Sequence, residues 1–296
     1  MKNKFILSIL AVFALAMGFF IPSQIANADS NVSKTYVYEI GYKNGYVATS
    51  KYSNNSDYSF SASRVEDLIY KIDEDRYNLG TYASCTLVFE HMTIGDDFVS
   101  LKNGSYLIKG SITANALNTK GVFSLDGGEV VFEDVTLVNK GFSPLIKNTG
   151  AGGIEIRSGF FNADSNVIVS TSDSSGDIEI LGGAITSATG FAIQVVSTNQ
   201  VDVTISGANT KITSAQTATI KADKANISIS GGEVANTANG ACVEVGENAS
   251  LSVEGEPVFS GDVHIQTKSA VNVQDYNGSE LKILYNKDIT NGEVAV

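Results

Sequence analysis

An apolar–x–apolar triplet recurs along most of the chain. It reads Leu87-Val88-Phe89, Tyr106-Leu107-Ile108, Val130-Val131-Phe132, Ile154-Glu155-Ile156, Ile178-Glu179-Ile180, Val203-Thr204-Ile205, Ile227-Ser228-Ile229, Leu251-Ser252-Val253 and Val271-Asn272-Val273. The steps between first residues are 19, 24, 24, 24, 25, 24, 24 and 20. Alternation with period two puts the outer residues of each triplet on one face of a short strand and the middle residue on the other. Glycine follows most triplets, as at Gly182-Gly183, Gly207, Gly231-Gly232 and Gly255, where it permits a tight corner. A second apolar group comes about half a repeat later: Val167 and Val169, Phe191 and Ile193, Cys242 and Val243, Val263 and Ile265. Ser, Thr, Asn and Gly fill the intervals, a composition that makes turns.

A unit of this length cannot bury its apolar edge alone. Stacking units in parallel buries that edge and pairs each backbone ladder with the next coil. The expected fold class is therefore all-β, a parallel β-helix of about nine coils over residues 83–275. Parallel crossovers predict a right-handed coil. The β-branched, glycine-rich composition and period-two alternation exclude helical repeats.

The flanks differ from the repeat. In 29–82, Thr35 to Tyr52 is rich in tyrosine and centres on Lys43-Asn44-Gly45, a tight-turn signal that predicts two antiparallel strands. The middle residues Val88, Leu107 and Val131 are apolar and point outward in this register, so the hairpin is expected to cover them. Ser61 to Asp75 predicts a helix. Ser63-Arg64-Val65-Glu66 has the form of a capping box, and Val65, Leu68, Ile69 and Ile72 fall on one face. Solenoid ends expose unpaired edges, so this helix is expected to cap the first coil. In the tail, 276–296, Leu281 to Tyr285 reads as one more strand.

The units Ile180-Leu181-Gly182-Gly183-Ala184-Ile185 and Ile229-Ser230-Gly231-Gly232-Glu233-Val234 resemble the Ile-x-Gly-Gly-x-apolar unit of right-handed β-helix proteins, the broad pectate-lyase-like class. The likeness is nearest to repetitive exported surface proteins of bacteria and covers about Thr86 to Gln274. It implies the fold and says little about activity, because one fold hosts unrelated functions. It also implies that any chemistry sits on the outer face of the triplet row.

Residues 1–28 read as an export signal that is removed. Lys2 and Lys4 precede the 17-residue apolar run Phe5 to Ile21, then Pro22 and the small-x-small site Ala26-Asn27-Ala28. Cleavage there leaves 268 residues with a net charge of −14. The acidic balance excludes nucleic acid as a partner, which needs clustered Lys and Arg, and no later segment is apolar enough to span a membrane. The expected location is secreted or at the cell surface. Cys85 and Cys242 are the only cysteines; six coil steps of about 4.8 Å separate them, which forbids a disulfide.

Two features bear on chemistry. The position after each triplet reads Glu90, Lys109, Glu133, Arg157, Leu181, Ser206, Ser230, Glu254 and Gln274, and its first four members predict a ladder of exposed ion pairs. In the middle position Glu155 stacks on Glu179, with Arg157 and Asp177 beside them. Carboxylates about 5 Å apart match a retaining glycosidase pair, and repulsion between them raises one pKa. The simpler reading is two exposed glutamates tolerated because Arg157 is near. Most enzyme motifs implied by the resemblance are missing: only Gly95-Asp96-Asp97 echoes one, and neither His91 nor His264 sits between glycines. Asp173, Asp177 and Asp262 are too scattered for a dedicated calcium site. The sequence offers no dedicated catalytic, cofactor or metal site. The leading expectation is a non-catalytic exported scaffold that contacts glycans or other cell-surface components. The alternative is a polysaccharide lyase or glycoside hydrolase built on Glu155, Glu179 and Arg157.

Overall fold

The computed structural model describes residues 36–51, 58–78, 84–216, 218–266, 269–278, 280–285 and 293–295. The proposed signal and the cleavage site lie outside these residues. The described residues form a parallel β-solenoid of about eight turns and, among them, a single helix.

Each turn contributes to three rows of strands. Among the described residues the repeat contributes nine rungs to the first row: Cys85–Ile94, Ser105–Ala114, Glu129–Asn139, Ile154–Ile156, Ile178–Ile180, Val201–Ile205, Ala225–Ile229, Ser250–Gly255 and Ala270–Tyr276. The second row follows the glycine corner. The first three first-row strands bend through that corner and supply both rows; later rungs are separate strands such as Phe160's Gly159–Ala163, then Ala184–Ser187, Lys211–Ser214, Glu233–Asn236 and Val258–Ser260. The third row runs from Val99–Leu101 to Lys282–Tyr285, which pairs antiparallel with Glu293–Ala295. The apolar group half a repeat after the triplet belongs to this third row. The tail segment Lys282–Tyr285 thus adds a strand, as its alternation predicts.

Inward columns of Ile, Val, Leu and Phe fill the solenoid. Phe89, Phe123, Phe132 and Phe161 form an edge-to-face stack in the early coils, with centroids 6.0, 5.4 and 5.7 Å apart, the arrangement that aromatic quadrupoles favour. Buried polar side chains close the corners. Asn236 Oδ1 accepts from the N–H groups of Ala238 (3.0 Å) and Gly240 (2.8 Å), and its Nδ2 donates to Gln216 O (2.7 Å). Asn139 repeats the device with the Ala116 and Gly141 N–H groups. Corner amides that would be orphaned inside the solenoid are satisfied in this way. Glycine is obligatory where coils touch: a Cβ on Gly207 would sit 1.7 Å from Leu181 O.

Eight of the nine triplets lie in the predicted register, and the first is two residues out. Tyr106 pairs with Cys85 and Ile108 with Leu87, so the first rung begins Cys85-Thr86-Leu87. A slip of two keeps every side chain on its face, so alternation alone cannot detect it.

The N-terminal hairpin also differs from expectation. Its strands β1 (Tyr36–Tyr42) and β2 (Tyr46–Lys51) pair antiparallel about Asn44, which is left-handed at φ 56°. Instead of lying over Val88, Leu107 and Val131, β1 pairs in parallel with the first rung, Tyr38 against Leu87. Its alternating Tyr36, Tyr38 and Ile40 point inward and are buried, so the hairpin extends the sheet as one more rung. Val88, Leu107 and Val131 stay half-buried.

Strand β3 (Tyr58–Ala62) adds to β2, and helix α1 (Val65–Asn78) follows with Val65, Leu68, Ile69 and Ile72 buried. The helix starts later than Ser61, because 58–62 is strand. Its cap comes from afar: Asp97 Oδ2 accepts from Val65 N–H at 2.6 Å, and Arg64 O accepts the first helical bond, from Leu68 N–H at 3.2 Å. The carboxylate neutralises an orphan amide and the positive end of the helix dipole. Among the described residues no helix is long and apolar enough to cross a membrane.

Candidate functional site

The outer face of the first row carries the predicted residues. Ile154-Glu155-Ile156 lies between Val130-Val131-Phe132 and Ile178-Glu179-Ile180, and Glu155 is directly paired with Glu179. Thr204, Ser228, Ser252 and Asn272 continue the column beyond Glu179. The structure therefore brings the two carboxylates together as the spacing predicts.

Arg157 distinguishes them. Its Nε donates to Glu155 Oε1 at 2.6 Å and its Nη2 to Glu155 Oε2 at 3.4 Å. This hydrogen bond, with the charges of Glu155, Glu133 and Glu179, raises the Arg157 pKa against partial burial. The pKa of Glu179 is raised by burial and then by Glu155, with Arg157 opposing. Asp177 is also raised, chiefly by burial, although its Oδ1 accepts from Asp202 N–H at 2.9 Å. Beside the pair runs a hydrogen-bonded column: Asn226 Nδ2 donates to Asp202 Oδ1 (2.7 Å) and Ser250 Oγ to Asn226 Oδ1 (2.9 Å). Chemically, Glu179 holds a proton more readily than an ordinary glutamate, while Glu155 is committed to a guanidinium.

The predicted ion ladder forms in part. Lys109 Nζ lies 2.5 Å from Glu133 Oε2. The two-residue slip places Lys109 against Val88 instead of Glu90, and Arg157 turns to Glu155 instead of bonding Glu133. Asp96 and Asp97, the echo of an enzyme motif, serve as backbone caps: Asp96 Oδ1 accepts from Leu117 N–H at 2.6 Å, and Asp97 caps α1. Among the described residues no group of three or more His, Cys, Asp or Glu side chains is placed to hold a metal ion.

A second polar cluster lies under the capping helix. The side chain of Arg76 is 3% exposed and its Nη1 is 2.9 Å from Asp73 Oδ1, which also accepts from Tyr106 Oη at 2.8 Å. The guanidinium carbon sits 4.5 Å from the centroid of the Tyr106 ring. Burial raises the Asp73 pKa against the opposing hydrogen bond from Tyr106 and the charge of Arg76. Arg76 stands at the fourth position after Ile72 on the apolar stripe, and that position is the sequence signal for its burial. The cluster joins the helix to the second rung.

A recess occupies the corner between the first and second rows in the later coils. Ser206, Asn209, Lys211, Ser230, Glu233 and Glu256 supply its polar lining, and its volume is about 700 Å³.

In comparisons with known proteins, no family model matches the chain, and neither a curated protein nor a solved structure matches it significantly.

Proposed function

We propose that this protein is an exported, non-catalytic solenoid that presents a rigid surface to extracellular glycans or cell-surface components. The observation that carries this reading is the outer column Thr204, Ser228, Ser252 and Asn272. These short hydroxyl and amide side chains are held in register one strand spacing apart. A repeated polar array on a stiff backbone offers many weak hydrogen bonds without losing much side-chain entropy, which suits an extended, hydroxyl-rich partner. The commitment of Glu155 to Arg157 supports the same reading, because the guanidinium occupies both carboxylate oxygens that a nucleophile or general base would present to a substrate. Export rests on the sequence of residues 1–28, and the resemblance of the Ile-x-Gly-Gly-x-apolar units to those of exported β-helix surface proteins supports a surface role.

A second reading, a polysaccharide lyase or glycoside hydrolase, rests on the stacked Glu155 and Glu179 and on the raised pKa of Glu179. The experiment that separates the two is a glycan array run beside a degradation screen over a panel of polysaccharides. Retention without reducing ends or unsaturated products supports the scaffold; reproducible turnover removes it. N-terminal sequencing of the exported protein is expected to begin at Asp29, and recovery of an intact Met1 from a membrane fraction would refute cleavage.

A further inference from the structure

The corners between the first and second rows are mostly uniform. Three residues separate Ile156 from Phe160, Ile180 from Ala184 and Ile229 from Glu233, positions that pair in register from coil to coil. Two corners are longer. Five residues, 206–210, separate Ile205 from Lys211, and four, 254–257, separate Val253 from Val258. The short corner Ser230-Gly231-Gly232 lies between these two. The long corners form lips, and the short one forms the floor of the recess between them. The lips stand two strand spacings apart, about 10 Å.

The local sequence explains both parts. In the first lip, Thr210 N–H donates to Gly207 O at 2.9 Å, a tight turn that pushes Ala208 and Asn209 outward, and both are exposed. The floor must be glycine. Gly232 is left-handed at φ 80°, and a Cβ there would meet Thr210 Cβ at 2.8 Å; one on Gly231 would lie 2.5 Å from Ser206 O. Glycine thus lets the floor corner pack directly against the first lip, with Gly231 buried and Gly232 half-buried.

The lining has a definite chemistry. Asn209, Ser206 and Ser230 each donate and accept hydrogen bonds. Lys211 and Glu233 are paired at 3.0 Å, so their charges cancel and their free valences remain. Glu256 adds an exposed acceptor and one net negative charge, which disfavours anions. Val258, 42% exposed, and Ala208 give an apolar edge. Thr210, also in the wall, is 2% exposed, and its Oγ1 has no hydrogen-bond partner among the described residues. Mixed donors and acceptors beside a small apolar edge match a pyranose, which presents hydroxyls at its rim and C–H groups on its face.

We propose that the recess between the Ala208-Asn209 and Glu256-Pro257 lips is a binding site for a neutral saccharide, one unit of an extended glycan that continues along the solenoid. This rests on the glycan-contacting reading above and assigns it a place.

The test is retardation of the whole exported protein in native gels containing neutral glucan, xylan or mannan, with polygalacturonate and chitosan as charged controls. Three variants accompany the wild type. Deletion of Ala208-Asn209 restores a three-residue corner, the double variant Asn209→Ala/Glu256→Ala strips the lips, and Lys147→Ala alters the third row as a control. Circular dichroism and a thermal melt establish that each is folded; the point variants keep the test alive if the deletion is not. The expected result is retardation by one neutral polysaccharide, weakened at least tenfold in the lip variants and unchanged in Lys147→Ala. Equal retardation of wild type and lip variants would overturn the recess and leave the glycan reading standing, as would a preference for either charged polymer that the lip variants do not alter. No retardation of the wild type in any gel would overturn both.

Discussion

Glu155 and Glu179 are paired across adjacent strands, yet Arg157 binds only Glu155, with its Nε 2.6 Å from Oε1. Two residues that are equivalent in the repeat are therefore inequivalent in energy. Glu179→Gln removes a carboxylate that burial and Glu155 disfavour. Glu155→Gln removes the partner of Arg157.

The sign of the pH dependence follows. The folded pKa of Glu179 lies above its ordinary 4.5, so the native state binds more protons than the unfolded chain as pH rises through that window. Stability contributed by this group is then present below about pH 4.5 and declines as pH rises towards the folded value. Glu179→Gln is expected to raise the melting temperature slightly at neutral pH, with the gain vanishing below pH 4.5. Glu155→Gln is expected to lower stability by at most about 1 kcal/mol, since Arg157 is exposed and Glu155 only half-buried. Melts of both variants from pH 3 to 8 check this. A like response of the two would mean that Arg157 does not discriminate between them. On the scaffold reading, glycan binding is unchanged in either.

The capping cluster gives a larger effect. Arg76 is buried against Asp73 and the Tyr106 ring, while the Asp73 side chain is 31% exposed. Removing one partner of a fully buried pair costs about 3–5 kcal/mol, and partial exposure of Asp73 brings the expectation for Arg76→Met to about 2–3 kcal/mol. Arg76 lowers the Asp73 pKa against burial, so the variant raises it further. Its loss of stability between pH 4 and neutrality is expected to be steeper than in the wild type, as denaturant titrations will report. A flat difference across that range would remove the Asp73 coupling.

The two cysteines behave as a pair only in composition. Both are buried and free, and burial pushes each thiol up to about 12. Cys242 Sγ–H also donates to Gly261 O at 2.9 Å. A thiol so rarely ionised is inert. Ellman's reagent is expected to find no fast-reacting thiol in the native monomer and two after denaturation without reductant. Finding none after denaturation would indicate a disulfide and contradict the coil assignment.

Much of this architecture is legible in the sequence because a solenoid repeats its physics. Ile154, Ile178, Val203, Ile227 and Leu251 fall in one column by spacing alone, and pairing at that spacing also stacks Glu155 on Glu179. The remainder was hidden for identifiable reasons. Leu87-Val88-Phe89 and Cys85-Thr86-Leu87 alternate equally well, so periodicity cannot choose between them. The tyrosines of β1 have the alternation of a buried rung, and their sheet position depends on pairing that local pattern does not encode. Arg76 sits on an apolar stripe, but its partner Tyr106 is thirty residues away. The lips of the recess are insertions of one and two residues, visible only when corner lengths are compared in the true register.

The corner column yields the last prediction. Gly110, Gly159, Gly183 and Gly232 are left-handed, with φ of 94°, 129°, 91° and 80°. In the third coil the left-handed residue is Asp134, φ 51°, one position before the column that the glycines occupy. A side chain there is strained, by roughly 1–2 kcal/mol for an ordinary L-residue and less for Asp, which tolerates this region. Asp134 recovers part of that cost locally: its Oδ1 accepts from Ser158 Oγ at 3.0 Å, and its N–H donates to the same hydroxyl at 2.8 Å. Asp134→Gly keeps the backbone bond and loses the exposed side-chain one, together with the long 3.9 Å ion pair between Lys109 Nζ and Asp134 Oδ2. Glycine's greater unfolded-state freedom opposes the gain by roughly 0.5–1 kcal/mol, so the expected change is within about 0.5 kcal/mol of zero. Asp134→Ala keeps the strain and loses the Ser158 bond, and is expected to be about 1 kcal/mol less stable than Asp134→Gly. Gly183→Ala is the severe case. It adds a left-handed side chain whose Cβ would lie 2.8 Å from Gly159 O, a backbone atom of the adjacent coil. Strain and overpacking together place its cost at about 2–4 kcal/mol. Urea unfolding of the three variants should rank them Asp134→Gly, Asp134→Ala, Gly183→Ala in falling stability. If Gly183→Ala proved as stable as Asp134→Gly, the corner would not be held between its neighbours as the coil stack requires.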